Sequence, residues 1–188
     1  MKSMTKRLLA ALLAVAALFA LAGCSKSNKA DAAPKDYTKI LHDARPDEDN
    51  EYYMIFSPDE DGKFTAQYGY SDSYDAAQLD EEIRNMLLPL LNLEEDMYTD
   101  FAASVSGMMV QSYGIAIVKP AEGKQQAVSE ALDAYVQSQM QSMEHYLEDQ
   151  YQIAASSHIS TAPTGEVILV CCENPEAVMN AIKTALAA

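Results

Sequence analysis

The chain has 188 residues, 49% of them hydrophobic, with 28 acidic side chains against 13 basic ones and a formal net charge of −15 at pH 7. Nucleic acid and anionic lipid surfaces are excluded as electrostatic partners, because both carry the same sign of charge. The acids are scattered over loops and polar helix faces, which suits a solvated domain better than a dedicated cation-recruiting patch.

The N-terminus carries Lys2, Lys6 and Arg7, then an apolar stretch from Leu8 to Leu21, then Leu21-Ala22-Gly23-Cys24. A positive start, an apolar run too short for a stable span and small residues before a cysteine predict a lipoprotein signal peptide over residues 1–23, cleaved between Gly23 and Cys24. Cys24 is then the lipidation site. Its thiol can carry a thioether-linked diacylglycerol, whose acyl chains bury about 0.8 kcal/mol per methylene in a bilayer. Cleavage removes three basic residues and no acid, leaving ten basic against 28 acidic residues, a net −18. Residues 24–36, with the lipidated cysteine and a small polar run, read as a flexible tether. Residues 37–188 read as one domain.

Within that domain the periodicity gives the elements in order. Tyr37 to Ala44 is a short amphipathic piece, ended by Arg45-Pro46, and Asp47 to Glu51 reads as a solvated acidic loop. Tyr52 to Ser57 and Lys63 to Tyr70 flank an Asp61-Gly62 turn and predict a hairpin. Leu79, Ile83, Met86, Leu87 and Leu90 recur at helical spacing from Asp75 to Leu91, with Pro89 set to end or kink that helix. Tyr98 to Val105 and Ser112 to Lys119 suit paired strands. Val128, Leu132, Tyr135, Val136, Met140, Met143 and Leu147 form one apolar stripe on a long helix over about 122–148, and Asp149 to Ser157 reads as a broken second helix. His158 to Thr161 and Glu166 to Cys172 flank a Pro-Thr-Gly turn, a third hairpin. Its second strand is apolar on both faces, so it belongs centrally in the sheet. Asn174-Pro175-Glu176 has the form of an N-cap, a first-turn proline and a dipole-matched acid, opening a helix that turns Val178, Ile182, Ala185 and Leu186 inward. The fold class predicted is α+β, an antiparallel sheet built of hairpins with helices packed on one face.

The succession Asn92-Leu93-Glu94-Glu95-Asp96-Met97, Ala103-Ser104-Val105-Ser106 and Tyr113-Gly114-Ile115-Ala116-Ile117-Val118-Lys119-Pro120, followed by the Gln- and Met-rich helix and the Val167 to Cys172 strand, resembles a lipoprotein family known as domain of unknown function 4358. The resemblance covers about residues 91–182. It implies a small lipoprotein of Gram-positive-type bacteria and brings no established activity.

No catalytic, cofactor-binding or metal-ligating set is identified. Asp59-Glu60-Asp61-Gly62 has the start of a calcium loop, but the first position would be Ser57 and the closing bidentate acid would be Tyr68. His42, His145 and His158 are dispersed, and His145 with Glu148 and Asp149 lacks a second histidine at ligand spacing. Cys171 and Cys172 are adjacent in a strand and point to opposite faces, as two buried thiols. Tyr52, Tyr53, Tyr68, Tyr70 and Tyr74 crowd the first hairpin, where cross-strand packing is the plainer role and stacking on sugar or peptide the functional one. Met108-Met109 with Met140-Met143 could form an adaptable peptide groove, against ordinary core packing. These readings predict a non-enzymatic, membrane-anchored domain on the extracytoplasmic face that binds an envelope protein or wall component. The alternative is a small-ligand or metal-binding lipoprotein serving a transporter.

Overall fold

Three hairpins lie side by side to make the sheet. In the computed structural model, which describes residues 35–188, six strands follow the order β2-β1-β3-β4-β6-β5, and every neighbouring pair is antiparallel. They are β1 Ile55–Pro58, β2 Phe64–Gln67, β3 Tyr98–Val105, β4 Gly114–Pro120, β5 His158–Thr161 and β6 Val167–Cys171. The helices are α1 Tyr37–Ala44, α2 Asp47–Tyr52, α3 from Ala76 to Leu90, α4 Gln125–Met143, α5 Glu148–Ala155 and α6 Pro175–Ala187. The α+β class with a hairpin-built antiparallel sheet is as predicted. The signal peptide, Gly23, Cys24 and the tether as far as Pro34 lie outside the described residues.

The layering is richer than the predicted single helical face. Strand alternation sends Phe101, Ala103, Ala116, Val118, Val167 and Leu169 to one side, where α3 and α4 cover them with Ile83, Leu87, Val128 and Leu132. Ala102, Ile115, Ile117, Ile168 and Val170 face the other side, against Tyr37 and Leu41 of α1 and Val178, Ile182 and Leu186 of α6. Helices therefore pack on both faces. The cause is the central pair β4 and β6, apolar at every position within the pairing, which needs cover on each side to leave water.

Local chemistry sets the helix limits. Asp36 caps α1 by accepting the Lys39 N–H, and Lys35 Nζ donates to the Leu186 carbonyl at 2.7 Å, so the last two residues of the predicted tether already bind the domain. Asp75 accepts the Ala77 and Gln78 N–H groups at 3.0 Å and opens α3. The middle of α3 widens into a π turn, Ile83–Leu87, closed by the Leu88 N–H on the Ile83 carbonyl; Pro89 lies just beyond it, and Asn92 (φ 55°) leaves the helix in the left-handed region. Asp47–Glu51 is a correction: the predicted loop is helical, with Asp47, Glu48 and Asp49 in the first turn, where carboxylates match the helix dipole. Asn174 precedes α6 as expected, but its side chain makes no capping bond. Helix α4 ends at Met143, short of the predicted limit, and Leu147 is extended before α5.

Gly114 shows how tightly β4 meets α4. A Cβ there would lie 2.6 Å from the Tyr135 hydroxyl, which donates to the Tyr113 carbonyl at 2.8 Å. The missing side chain lets a fully buried tyrosine lie across the start of the strand.

Candidate functional site

Arg45, at the joint between α1 and α2, is only 5% exposed. Its guanidinium donates to Asn50 Oδ1 (2.6 Å), Ser104 Oγ (2.7 Å), the Tyr53 carbonyl (2.7 Å) and the Tyr113 hydroxyl (3.3 Å). Ser104 Oγ donates to the Met54 carbonyl at 2.8 Å, and Asn50 Nδ2 donates to the His42 carbonyl at 3.0 Å. The hub thus joins α1, α2, β3 and the residue preceding β4. A buried charge is tolerated when its donors are satisfied, and these bonds engage four of the five guanidinium N–H groups. Gly69 (φ 52°) completes the frame: a Cβ there would come within 2.6 Å of the Tyr53–Met54 backbone.

The consequence is a rigid tyrosine floor. Tyr53 and Tyr113 stack with centroids 3.8 Å apart and planes 10° apart. Above them opens a cleft of about 760 Å³ between α2, the β3–β4 loop, α5 and the start of α6. Its rim is unusually apolar. Of eight large hydrophobic side chains exposed among the described residues, Tyr52, Tyr70 and Met108 line the cleft, and Met109 and Val110 continue the same loop; Met109 is 88% exposed. Exposed apolar side chains gathered around one depression mark an interaction surface more often than a random surface does.

Polar groups in the cleft are held in particular states. Burial raises the Asp49 carboxyl above its ordinary value, opposed by the Tyr113 hydroxyl and Arg45. Burial also pushes the Tyr53 phenol up to about 12 and the Cys172 thiol up to about 11, with Asp49 adding to both. Ser112, 2% exposed, lines the cleft, and its Oγ is the buried side-chain polar atom left without a hydrogen-bond partner among the described residues. Its backbone N–H is satisfied by Gln150 Oε1 at 2.9 Å.

A second cleft, about 810 Å³, lies at the opposite end of β3 and β4, beside the β1–β2 turn. Acids dominate its lining, with Arg84 and Lys119 among them. Arg84 is the organiser here, pairing with Glu95 at 2.6 Å and Asp80 at 3.2 Å, donating to the Gly62 carbonyl and lying 4.7 Å from the Phe64 ring centre. Asp59 Oδ1 accepts the Asp61 and Lys63 N–H groups, so this carboxylate builds the turn. Tyr68, at the position of the closing calcium ligand, stands past the far end of β2. Among the described residues no three His, Cys, Asp or Glu side chains are placed to hold a metal ion.

The other candidates disperse. His145 is a 90% exposed side chain beside Glu144. Cys171 and Cys172 are free and buried, on opposite faces of the sheet as predicted. The tyrosines do not act as cross-strand pairs of the first hairpin. Tyr52, Tyr53 and Tyr70 gather at the cleft, Tyr68 packs on His42 with centroids 4.2 Å apart, and Tyr74 donates to Glu82. Met143 is buried and Met140 packs on the core, whereas Met108 and Met109 stand exposed. Arg45, Asp49, Ser112 and Tyr113 are the site residues that sequence reasoning missed. Arg45 appeared only as punctuation before Pro46, and nothing local marks it for burial.

No curated protein and no solved structure matches this chain. A family match does extend over residues 71–172, beginning earlier and ending sooner than the resemblance read from the sequence. It takes in α3 to β6 and therefore the β3–β4 loop and α5 side of the tyrosine cleft, while α2 and the start of α6 fall outside it. The chain belongs to the family described as Domain of unknown function (DUF4358).

Proposed function

We propose that this chain is a lipid-anchored extracytoplasmic domain, held by Cys24 after cleavage behind Gly23, that acts as a non-enzymatic binding module at the cell envelope. The observation that carries the reading is the tyrosine cleft, with its exposed apolar rim concentrated over a floor fixed by the buried Arg45. A rigid floor lowers the ordering cost of binding, and an adaptable methionine rim supplies contact area. The anchor is supported by the basic start, apolar run and lipobox of the sequence.

The test of the anchor is membrane fractionation of Cys24→Ser. Release into the soluble fraction is expected; a variant that stays with membranes after signal cleavage contradicts the anchor. The size of the cleft also favours a second reading, a small-ligand receptor serving a transporter, because about 300–1,000 Å³ is the range of small-molecule sites. A native mass spectrum of the full chain extracted in detergent separates the two. The binding-module reading gives the bare lipoprotein mass, and the receptor reading gives a stoichiometric addition lost on denaturation.

A further inference from the structure

We infer that the tyrosine cleft recognises a short peptide segment in which a lysine or arginine stands beside an apolar residue; the inference rests on the binding-module reading and names its ligand class. Charge comes first. Glu48, Asp49 and Glu173 line the cleft, no lysine or arginine does, and none of the three acids takes part in an ion pair among the described residues. Arg45 lies beneath them with its guanidinium already committed to four oxygens. The cleft therefore repels anions and offers carboxylates to a cation.

The walls narrow the kind of cation. Tyr52 and Tyr70 stand exposed at the lining and present rings whose faces attract ammonium and guanidinium groups. A bare metal ion would need converging oxygens, and the described acids do not converge. Met108, Ile153 and Val178 add apolar wall, which a neighbouring apolar side chain covers.

Hydrogen-bonding groups of the peptide type complete the site. Gln111, Gln150 and Asn174 bring amide side chains to the lining, and Asn174 makes no cap bond that would occupy it. The decisive observation is Ser112, a lining residue only 2% exposed, whose Oγ is buried and unpartnered among the described residues. A buried hydroxyl without a partner is costly, and a peptide N–H or C=O at the base of the cleft satisfies it. A neutral sugar could stack on the tyrosines and donate hydroxyls to the carboxylates, but it would leave their three negative charges uncompensated.

Calorimetric titration of the full chain in detergent micelles with acetyl-Lys-Phe-amide and with acetyl-norleucine-Phe-amide tests the inference. The second peptide keeps the length and apolar surface of the first and lacks the charge. The lysine peptide is expected to bind about tenfold more tightly. The triple variant Glu48→Gln/Asp49→Asn/Glu173→Gln should erase that difference with both peptides still bound. Ser112→Ala should weaken both peptides alike while its melting temperature stays level or rises, an opposition that a merely structural serine does not produce. Equal binding of the two peptides overturns the cationic ligand and leaves the binding cleft standing. Binding of neither peptide also overturns the inference. The recognition surface fails with it only when a photoreactive residue at Met109 also gives no discrete cross-link in intact cells.

Discussion

Arg45 and Arg84 are the two arginines of the described residues, and each organises one of the two clefts at opposite ends of β3 and β4. Arg45 is desolvated and donates to neutral oxygens of Asn50, Ser104, Tyr53 and Tyr113. Arg84 has a side chain 35% exposed and shares its charge between Asp80 and Glu95 with water nearby. The same side chain is thus a structural member in one place and a surface clamp in the other. In the acidic cleft Arg84 holds Glu95 and backbone N–H groups hold Asp59, while Glu60 and Asp61 at the turn make no ion pair among the described residues. In the tyrosine cleft the cation is locked below the floor, Asp49 is half-buried against Tyr113, and Glu48 and Glu173 are exposed without an ion pair among the described residues. What sets the tyrosine cleft apart is that its unpaired acids stand beside an exposed apolar rim.

The sharpest way to break this contrast is to truncate both arginines. Arg45→Ala leaves buried oxygens of Ser104, Tyr113 and the Tyr53 carbonyl without their donor and should cost about 3 kcal/mol or more. Arg84→Ala removes exposed ion pairs and a cation–π contact and should cost about 1 kcal/mol. Urea unfolding of the two variants measures the pair. Equal losses would mean that Arg45 is no more a scaffold than Arg84.

A smaller effect with opposite signs at the two ends sharpens the comparison. Burial raises the Asp49 carboxyl, so its ionisation costs the folded state stability; that cost is absent below the unfolded value near 3.8 and grows as pH rises through the folded one. The Phe64 N–H, reinforced by Arg84, lowers the Asp80 carboxyl, so its contribution is present above 3.8 and is lost as pH falls through the depressed value. Asp49→Asn should therefore gain stability at neutral pH, by less than about 1 kcal/mol because solvent reaches the half-exposed group. Asp80→Asn should lose stability there. Both differences should vanish in acid, as followed by urea midpoints across pH. Shifts of the same sign at neutral pH would contradict the assigned environments.

What was legible in the sequence was local. Tyr37–Ala44, Tyr98–Val105 and His158–Thr161 are found with the predicted limits, because cap, alternation and turn residues mark them within a few positions. The α2 segment was missed because it has no apolar periodicity; carboxylates in its first turn and the Arg45–Asn50 bond stand in for a buried face. The second helical layer was only half legible. Val167 to Cys172, apolar on both faces, placed the strand centrally with cover on at least one side, but no local signal says that α1 and α6 cover the second. The site was least legible of all. Arg45 meets Ser104 and Tyr113 across 59 and 68 positions, and only that long-range closure turns an Arg-Pro boundary into a buried hub.

The most direct test of the central claim compares the two ends in place. A photoreactive residue is introduced at Met109, on the rim of the tyrosine cleft, and separately at Glu60, on the rim of the acidic cleft, in the full membrane-held chain. The account predicts a discrete cross-linked product from Met109, abolished by Tyr53→Ala, and none from Glu60. A product from Glu60 alone, equal products from both, or none from either would contradict it.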